Sequence, residues 1–452
     1  MKNIKNLLSK SIFPWVICAV GAAFYCYEYL LRIAPATMLS PLMREFHLNA
    51  PTLSFIIALF YFSYAPLQLV VGVTHDVFGP RRILIAAVGF CAVGSLLFGL
   101  TVNPLTMGIA RLMIGFGSAF AFVGAVKLGS MWLPRKHFSL FVGLLVAVGM
   151  LGGIFGNVSV AVLLKYVNWR VIYFYFAALG ALLMLFMWLF VKEKTPLKRK
   201  QKLIHASKHS QTRKQLLRIF KNSQLWLLGM ISALLYLSLS AFAELWGSKF
   251  AHQAYGLTTA EAALVNSLVF LGWLIGPPLM GWLSDKLNQE RLLIIINAFL
   301  ASLVSCVMLI FTHIPLYLVE LLFFLLGFFC STQVLCITAA TKKTPAALTA
   351  TTVSFINCIV MVCGLIAQPL IGKLLDFFWL GKMQEDLPLY SIHSFRFALS
   401  ILPAAFLLAG ILGFFVKERK KKTNWLQELY QKNLIFKVFN GLREQCHYLK
   451  HL

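Results

Sequence analysis

About twelve apolar runs, each long and nearly free of charge, follow one another along this chain with short polar joints between them. A helix needs roughly 20 apolar residues to cross the hydrocarbon core of a bilayer. The pattern predicts an all-α membrane protein with about twelve transmembrane helices. Composition agrees, with 60% hydrophobic and 12% charged residues in 452, against about one-quarter charged in soluble domains.

The formal charge of +26 would suggest nucleic acid if the cations formed a patch interleaved with aromatics in a folded domain. They do not. Most of the 41 Lys and Arg fall in alternate joints and at both ends of the chain. This is the asymmetry of the positive-inside rule, and it places both termini in the cytoplasm with an even number of spans. Lys2, Lys5 and Lys10 precede an apolar run that extends from Ile12 past Leu30. That run is too long for a signal-peptide core and no small-residue cleavage site follows, so it reads as an uncleaved first helix. The nine cysteines lie in apolar runs, apart from Cys446 in the tail, without CxxC or metal spacing. They read as small core residues, and neither metal nor cofactor is expected.

The chain repeats itself at half length. Gly72-Val73-Thr74-His75-Asp76-Val77-Phe78-Gly79-Pro80-Arg81-Arg82 forms a polar loop between two apolar runs, and Gly281-Trp282-Leu283-Ser284-Asp285-Lys286 returns to it in the second half. In each copy a glycine precedes an aspartate by four residues. The first copy resembles the loop joining the second and third helices of major facilitator superfamily transporters, with Gly72, Asp76, Gly79, Arg81 and Arg82 in place. The second resembles its echo between the eighth and ninth helices, keeping Gly281, Asp285 and Arg291 but not the later glycine. Arg111-Leu-Met-Ile-Gly115-Phe-Gly117 resembles a further family motif, an intramembrane arginine followed by small residues. The resemblance implies two pseudo-symmetric six-helix halves, with the loop residues gating passage between two conformations.

On that plan, residues 1–191 form the N-terminal half and 192–221 a basic cytoplasmic linker containing Lys198-Arg199-Lys200. Residues 222–416 form the C-terminal half, and 417–452 a basic tail in which Trp425, Leu426, Leu429 and Tyr430 suggest an amphipathic helix on the inner leaflet. His205 and His209 have helical metal spacing, but in a solvated linker they read as ordinary polar residues.

Charges inside spans are costly and tend to face a bundle interior or an aqueous cavity. Glu28 and Arg32 lie four apart on one face of the first span and can pair. Arg111 and Lys127 share the fourth span; sixteen residues of regular helix separate them by about 24 Å and place them on nearly opposite faces. Glu244 lies in the seventh span, Gln333 in the tenth and Asn357 in the eleventh. Together these seven are the candidate substrate and proton contacts. Asp76 can hold an arginine or a helix N-terminus in one state and release it in the other. Pro66, and Pro277 with Pro278, should loosen or bend their helices. The glycines of the fifth span, Gly149/Gly153 and Gly152/Gly156, suit close helix packing. Family antiporters often carry a Gly-Pro pair in that helix, and this span has no proline, which weakens an antiport reading.

The family resemblance implies a secondary active transporter working by alternating access about a midplane site. No phosphate-binding Gly-Lys loop, Ser/His/Asp set or metal cluster is present in the sequence, so an enzyme and an ATP-driven pump are not expected. Acids and bases in one cavity suit an amino acid or small organic acid. The expected activity is proton-coupled uptake by a monomer in the bilayer, with Glu28 or Glu244 as proton carrier. The alternatives are an efflux pump for amphipathic compounds, which would favour a cavity with few cations, and a non-transporting membrane sensor. Tyr27 to Arg32, Phe122 to Leu128 and Phe355 to Gln368 also resemble a bacterial subfamily of amino-acid and nucleoside importers used by intracellular pathogens. That points to the bacterial inner membrane.

Overall fold

A computed structural model describes residues 2–192, 219–287, 289–345, 348–381, 383–384 and 387–417. Among the described residues, twelve helical spans are long and apolar enough to cross a membrane: Phe13–Thr37, Ala50–Leu67, Pro80–Gly99, Pro104–Trp132, Leu140–Leu163 and Trp169–Phe190, then Ser223–Tyr255, Thr259–Leu287, Glu290–Ile310, Leu316–Lys342, Thr351–Phe377 and Ile392–Gly413. The protein is all-α in architecture. A two-residue ladder pairing Met383–Gln384 with Leu387–Pro388 is the β-structure among the described residues. The linker residues 193–218, with His205 and His209, and the tail residues 418–452 lie outside the described set.

Local chemistry explains where several spans begin. Asn49, Asn103, Asn168, Asn222 and Ser391 each accept a backbone N–H of the first turn through the side chain, at 2.9–3.2 Å. Such caps satisfy donors that a helix N-terminus otherwise leaves bare. Pro51 and Pro104 occupy the first turn, where a missing N–H costs nothing. The signature segments are helical rather than loops. The second span ends at Leu67, just past Pro66, and after a short turn Val71–Phe78 forms its own helix. Gly281 to Lys286 belong to the last turns of the unbroken eighth span, which stays helical through Pro277 and Pro278. Gly79 closes the first copy at φ +82°, a backbone conformation open chiefly to glycine.

Packing follows a two-fold plan. The first span packs on the fifth, the second on the fourth, and the third on the sixth. The seventh on the eleventh, the eighth on the tenth and the ninth on the twelfth repeat these pairs. The two sets meet where the second span lies on the eleventh and the fifth on the eighth. Internal breaks repeat as well: the fourth span is interrupted at Ala119–Phe120 and the tenth at Ser331–Thr332. Ser331 and Thr332 each donate the hydroxyl to a carbonyl three residues back, at 2.6 Å, competing with the helical ladder at that point.

Arginine clamps repeat too. Arg81, at the start of the third span, donates to Trp188 O of the sixth at 2.7 Å, and Arg170 ties the other end of that pair through Gly99 O at 3.0 Å. In the second half Arg291 donates to Phe414 O at 2.6 Å and Arg396 to Ile310 O at 2.9 Å. The third–sixth and ninth–twelfth pairs are thus pinned at both ends. Arg170 and Trp169 also bind both oxygens of Glu45, anchoring the segment after the first span.

Candidate functional site

Charge concentrates at one buried point where the two halves meet. Arg32 donates from Nε to Glu28 Oε1 at 2.9 Å and from Nη2 to the same oxygen. Its Nη1 donates to Tyr236 OH at 3.3 Å and lies 3.7 Å from Glu244 Oε1. Tyr61 donates its hydroxyl to Glu244 Oε2. The guanidinium is also enclosed by the rings of Tyr29, Phe60 and Tyr64, with centroids 4.7–5.2 Å away, a setting that stabilises a cation. Glu28, Arg32 and Glu244 are 0%, 3% and 1% exposed. One guanidinium therefore serves two carboxylates, one from the first span and one from the seventh. Glu28 Oε2 and Glu244 Oε1 have no hydrogen-bond partner.

Arg111 is buried nearby but differently engaged. It donates from Nε to Ile57 O at 3.3 Å and from Nη1 to Leu31 O at 3.0 Å, and its guanidinium lies 5.1 Å from the Phe60 ring centroid. Both carbonyls lie deep in the first and second spans, so the arginine joins three helices of the N-terminal half. Phe60 is shared by the two arginines, its ring centroid 5.2 Å from the Arg32 guanidinium and 5.1 Å from that of Arg111. Lys127 stands half-buried beyond the break in the fourth span; that break removes the regular-helix geometry relating it to Arg111.

Gln333 and Asn357 each donate to another polar side chain. Gln333 donates to Ser232 Oγ at 2.6 Å within the C-terminal half. Asn357 donates to Gln68 Oε1 at 2.9 Å, bridging the eleventh span to the second. Of the gating candidates, Arg81 and Arg291 form the clamps described above. Gly72 and Gly281 face open space, with no atom within 4 Å of where a Cβ would stand. Asp285 is exposed and makes no ion pair among the described residues. Arg82 lies at the start of the third span. The Asp76 side chain lies outside the described set.

Two features of the structure escape sequence reasoning. Ser238–Trp246, the stretch that carries Glu244, is a nine-residue π-helix inside the seventh span. Such segments are rare and occur frequently at functional sites; nothing in Ser-Leu-Ser-Ala-Phe-Ala-Glu-Leu-Trp announces one. The second is Asn157 of the fifth span, 0% exposed, with neither amide atom hydrogen-bonded. It lies one turn beyond Gly153, where an added Cβ would meet Phe270 of the eighth span and Ile33 of the first. A buried amide without partners is costly, and its position after a glycine-rich stretch was the available signal.

The opposite face from the signature segments is closed between the halves. Lys249 of the seventh span donates to Ser40 Oγ at 2.6 Å. Tyr390 accepts the Ala50 N–H at 3.1 Å and donates to Asp376 Oδ1 at 3.1 Å, so a hydroxyl from the C-terminal half caps a helix of the N-terminal half. Burial pushes the Tyr390 phenol above its ordinary ionisation range, which keeps this donor protonated.

Comparison with known proteins places this geometry in a family. The family model described as Major Facilitator Superfamily matches residues 21–369 and 255–440. An uncharacterized transporter of Bacillus subtilis is 25% identical over 283 residues, covering 60% of this chain and 65% of that one. A probable sulfoacetate transporter of Cupriavidus necator is 24% identical over 286 residues, covering 61% and 66%. The chain thus spans just under two thirds of the length of these relatives. A lysosomal dipeptide transporter of Danio rerio is 24% identical over 323 residues, covering 68% of each. Among solved structures, a bacterial homolog of the human lysosomal transporter Spinster, in an inward-facing and occupied conformation, superposes with a TM-score of 0.72 at 15% identity, covering 90% of this chain and 97% of that one. A D-xylose–proton symporter gives 0.72 at 16% identity, covering 91% and 99%.

Proposed function

The chain belongs to the Major Facilitator Superfamily, and from that membership we propose that it carries a small carboxylate-bearing solute, an amino acid or organic acid, into the cell together with a proton. That it is a secondary transporter and an integral membrane protein accords with its family and its twelve spans. The solute, the proton and the direction are the proposal. Charge placement supports both termini in the cytoplasm of a bacterial inner membrane, with the signature segments on the cytoplasmic side.

The observation that carries the reading is the single guanidinium shared by Glu28 and Glu244 across the halves. With all three charged, the cluster holds one more negative charge than positive. A proton arriving on Glu28 removes its claim on Arg32 and frees part of the guanidinium for another carboxylate. A solute carboxylate then takes the vacated place, so proton and solute enter together with no net change in cluster charge. Arg32 and Tyr61 of the N-terminal half both bind Glu244 of the C-terminal half, so loading this point bears directly on whether the halves stay joined there. Names of relatives that handle sulfoacetate and a dipeptide are consistent with an acidic or zwitterionic solute.

Purified protein tests this directly. Thermal stabilisation across amino acids, organic acids, nucleosides, sugar acids and amphipathic cations identifies the class, because a ligand at a hundred times its Kd stabilises by about 2.7 kcal/mol. Stabilisation by an acid should vanish in Arg32→Ala. In proteoliposomes, Glu28→Gln should lose pH-driven accumulation while still reaching the membrane. Shifts confined to amphipathic cations would replace this reading with efflux, and undiminished pH-driven uptake by Glu28→Gln would remove that residue from coupling.

A further inference from the structure

A second polar site lies on the closed face, away from the buried cluster. Two adjoining hollows of about 70 and 300 Å³ share Thr37, Ser40 and Thr259 in their walls. They sit where the end of the first span meets the end of the seventh and the start of the eighth. Lys249 and Ser248 line the smaller one. Lys249 is half-buried and donates to Ser40 Oγ at 2.6 Å, and it makes no ion pair with a carboxylate among the described residues. Ser248 lines the hollow and is 6% exposed, and its hydroxyl is buried without a hydrogen-bond partner. No acidic residue lines either hollow among those described. The nearby Glu45 is already engaged by Arg170 and Trp169.

A cation bonded to a neutral hydroxyl, beside an unpaired hydroxyl and surrounded by more of them, is short of one anionic acceptor. A carboxylate supplies it: one oxygen can take the ammonium, the other the Ser248 O–H, with Thr37 and Thr259 at the edge. We propose that this hollow is a docking site for a small carboxylate, where the anion displaces Ser40 as the partner of Lys249. Because Ser40 follows the first span and Lys249 ends the seventh, the exchange removes a hydrogen bond that joins the halves on this face. An arriving anion thus weakens the closure that blocks its path. The inference rests on the proposed function only in equating this anion with the transported solute; the existence of the site rests on Lys249 and the unpaired Ser248.

The test needs no transport. Thr259 is exposed and lines both hollows, so Thr259→Cys places a thiol at the site in the purified full chain, with the parent chain as background for native cysteines. The rates of reaction with an anionic sulfonatoethyl thiosulfonate and a cationic trimethylammonioethyl thiosulfonate are compared. A lysine within several ångströms should favour the anionic reagent by about tenfold, and millimolar acetate should slow both reactions. Lys249→Gln should lose the preference and the acetate protection, and Lys249→Arg should keep them, each in protein that elutes as a single folded species. Equal reagent ratios in all three, or a loss in Lys249→Arg as large as in Lys249→Gln, would overturn the proposal. Because Arg32→Ala leaves this hollow untouched, its labelling should match the parent even where solute stabilisation is gone.

Discussion

Replacing Arg32 by methionine leaves Glu28 and Glu244 without their common counter-charge, and the structure sets the scale of the loss. Arg32 makes two hydrogen bonds to Glu28, one to Tyr236 and an ion pair of 3.7 Å to Glu244, with three rings around it. Hydrogen bonds to charged groups contribute about 1.5–3 kcal/mol each, but they do not add when they share one donor group. Removing one member of a buried ion pair costs about 3–5 kcal/mol, mainly because a bare charge is left behind. Arg32→Met should therefore destabilise by about 3–5 kcal/mol at neutral pH. Replacing all three charges, in Glu28→Gln/Arg32→Met/Glu244→Gln, removes the bare carboxylates and should cost less than about 2 kcal/mol, since apolar or neutral substitutes for a buried triad are often neutral. The assay is equilibrium unfolding in mixed detergent, with refolding demonstrated so that irreversible loss does not masquerade as stability. The reasoning fails if Arg32→Met costs under about 1 kcal/mol, or if the triple variant is no more stable than the single one.

Further outcomes follow from other contacts. Asn157→Leu replaces an unpartnered buried amide with an apolar side chain of similar size and should stabilise the solute-free protein by about 1–3 kcal/mol; solute affinity measured alongside should fall if the amide faces the solute. Tyr390→Phe removes both the Ala50 cap and the Asp376 bond, costing about 1 kcal/mol and speeding labelling of a cysteine placed at Ser40. Because the folded state holds the Tyr390 phenol above its ordinary range, its contribution should be complete below about pH 10, where a free phenol is neutral, and be lost as pH rises further; a parent that loses no more stability than Tyr390→Phe above pH 10 would contradict this. Gly327→Leu would drive a side chain into Val269 backbone, and should lower the yield of folded protein or its melting temperature, since overpacking typically costs about 1–3 kcal/mol.

Spans were the most legible part of this chain, because the rule that writes them is one-dimensional: a run of apolar residues about as long as a bilayer is thick. The half-length repeat was legible through Gly72, Asp76, Gly281 and Asp285, although these segments turned out helical, since four-residue spacing suits a helical turn as readily as a loop. Glu28 and Arg32 were legible as a pair because helical periodicity alone brings them together. Their link to Glu244 was not, since it depends on how two halves more than 200 residues apart in sequence are docked. Arg111 and Arg32 look alike in sequence as intramembrane cations. Their surroundings separate them: Arg111 meets backbone carbonyls and Arg32 meets carboxylates. The π-helix around Glu244 was invisible because the choice between i+4 and i+5 bonding is made by neighbouring helices, not by local propensity.

The four arginine clamps have a consequence for the lipid around the protein. The third–sixth and ninth–twelfth pairs are each held at both ends by side chains of their own half. Within a pair, one helix cannot slide or tilt against the other without breaking a bond at one end. The sixth span is the least buried of the twelve, at 33%, so at least one of these pinned helices presents a large face to the lipid tails. A bilayer resists changes in the thickness and tilt of what it surrounds by fractions of a kcal/mol per ångström, a cost that the proposed transport cycle would otherwise meet at each turn. If the halves move as the proposed transport requires, pinned pairs would move as stiff panels and keep the apolar height of the wall constant, decoupling that movement from the elasticity of the membrane.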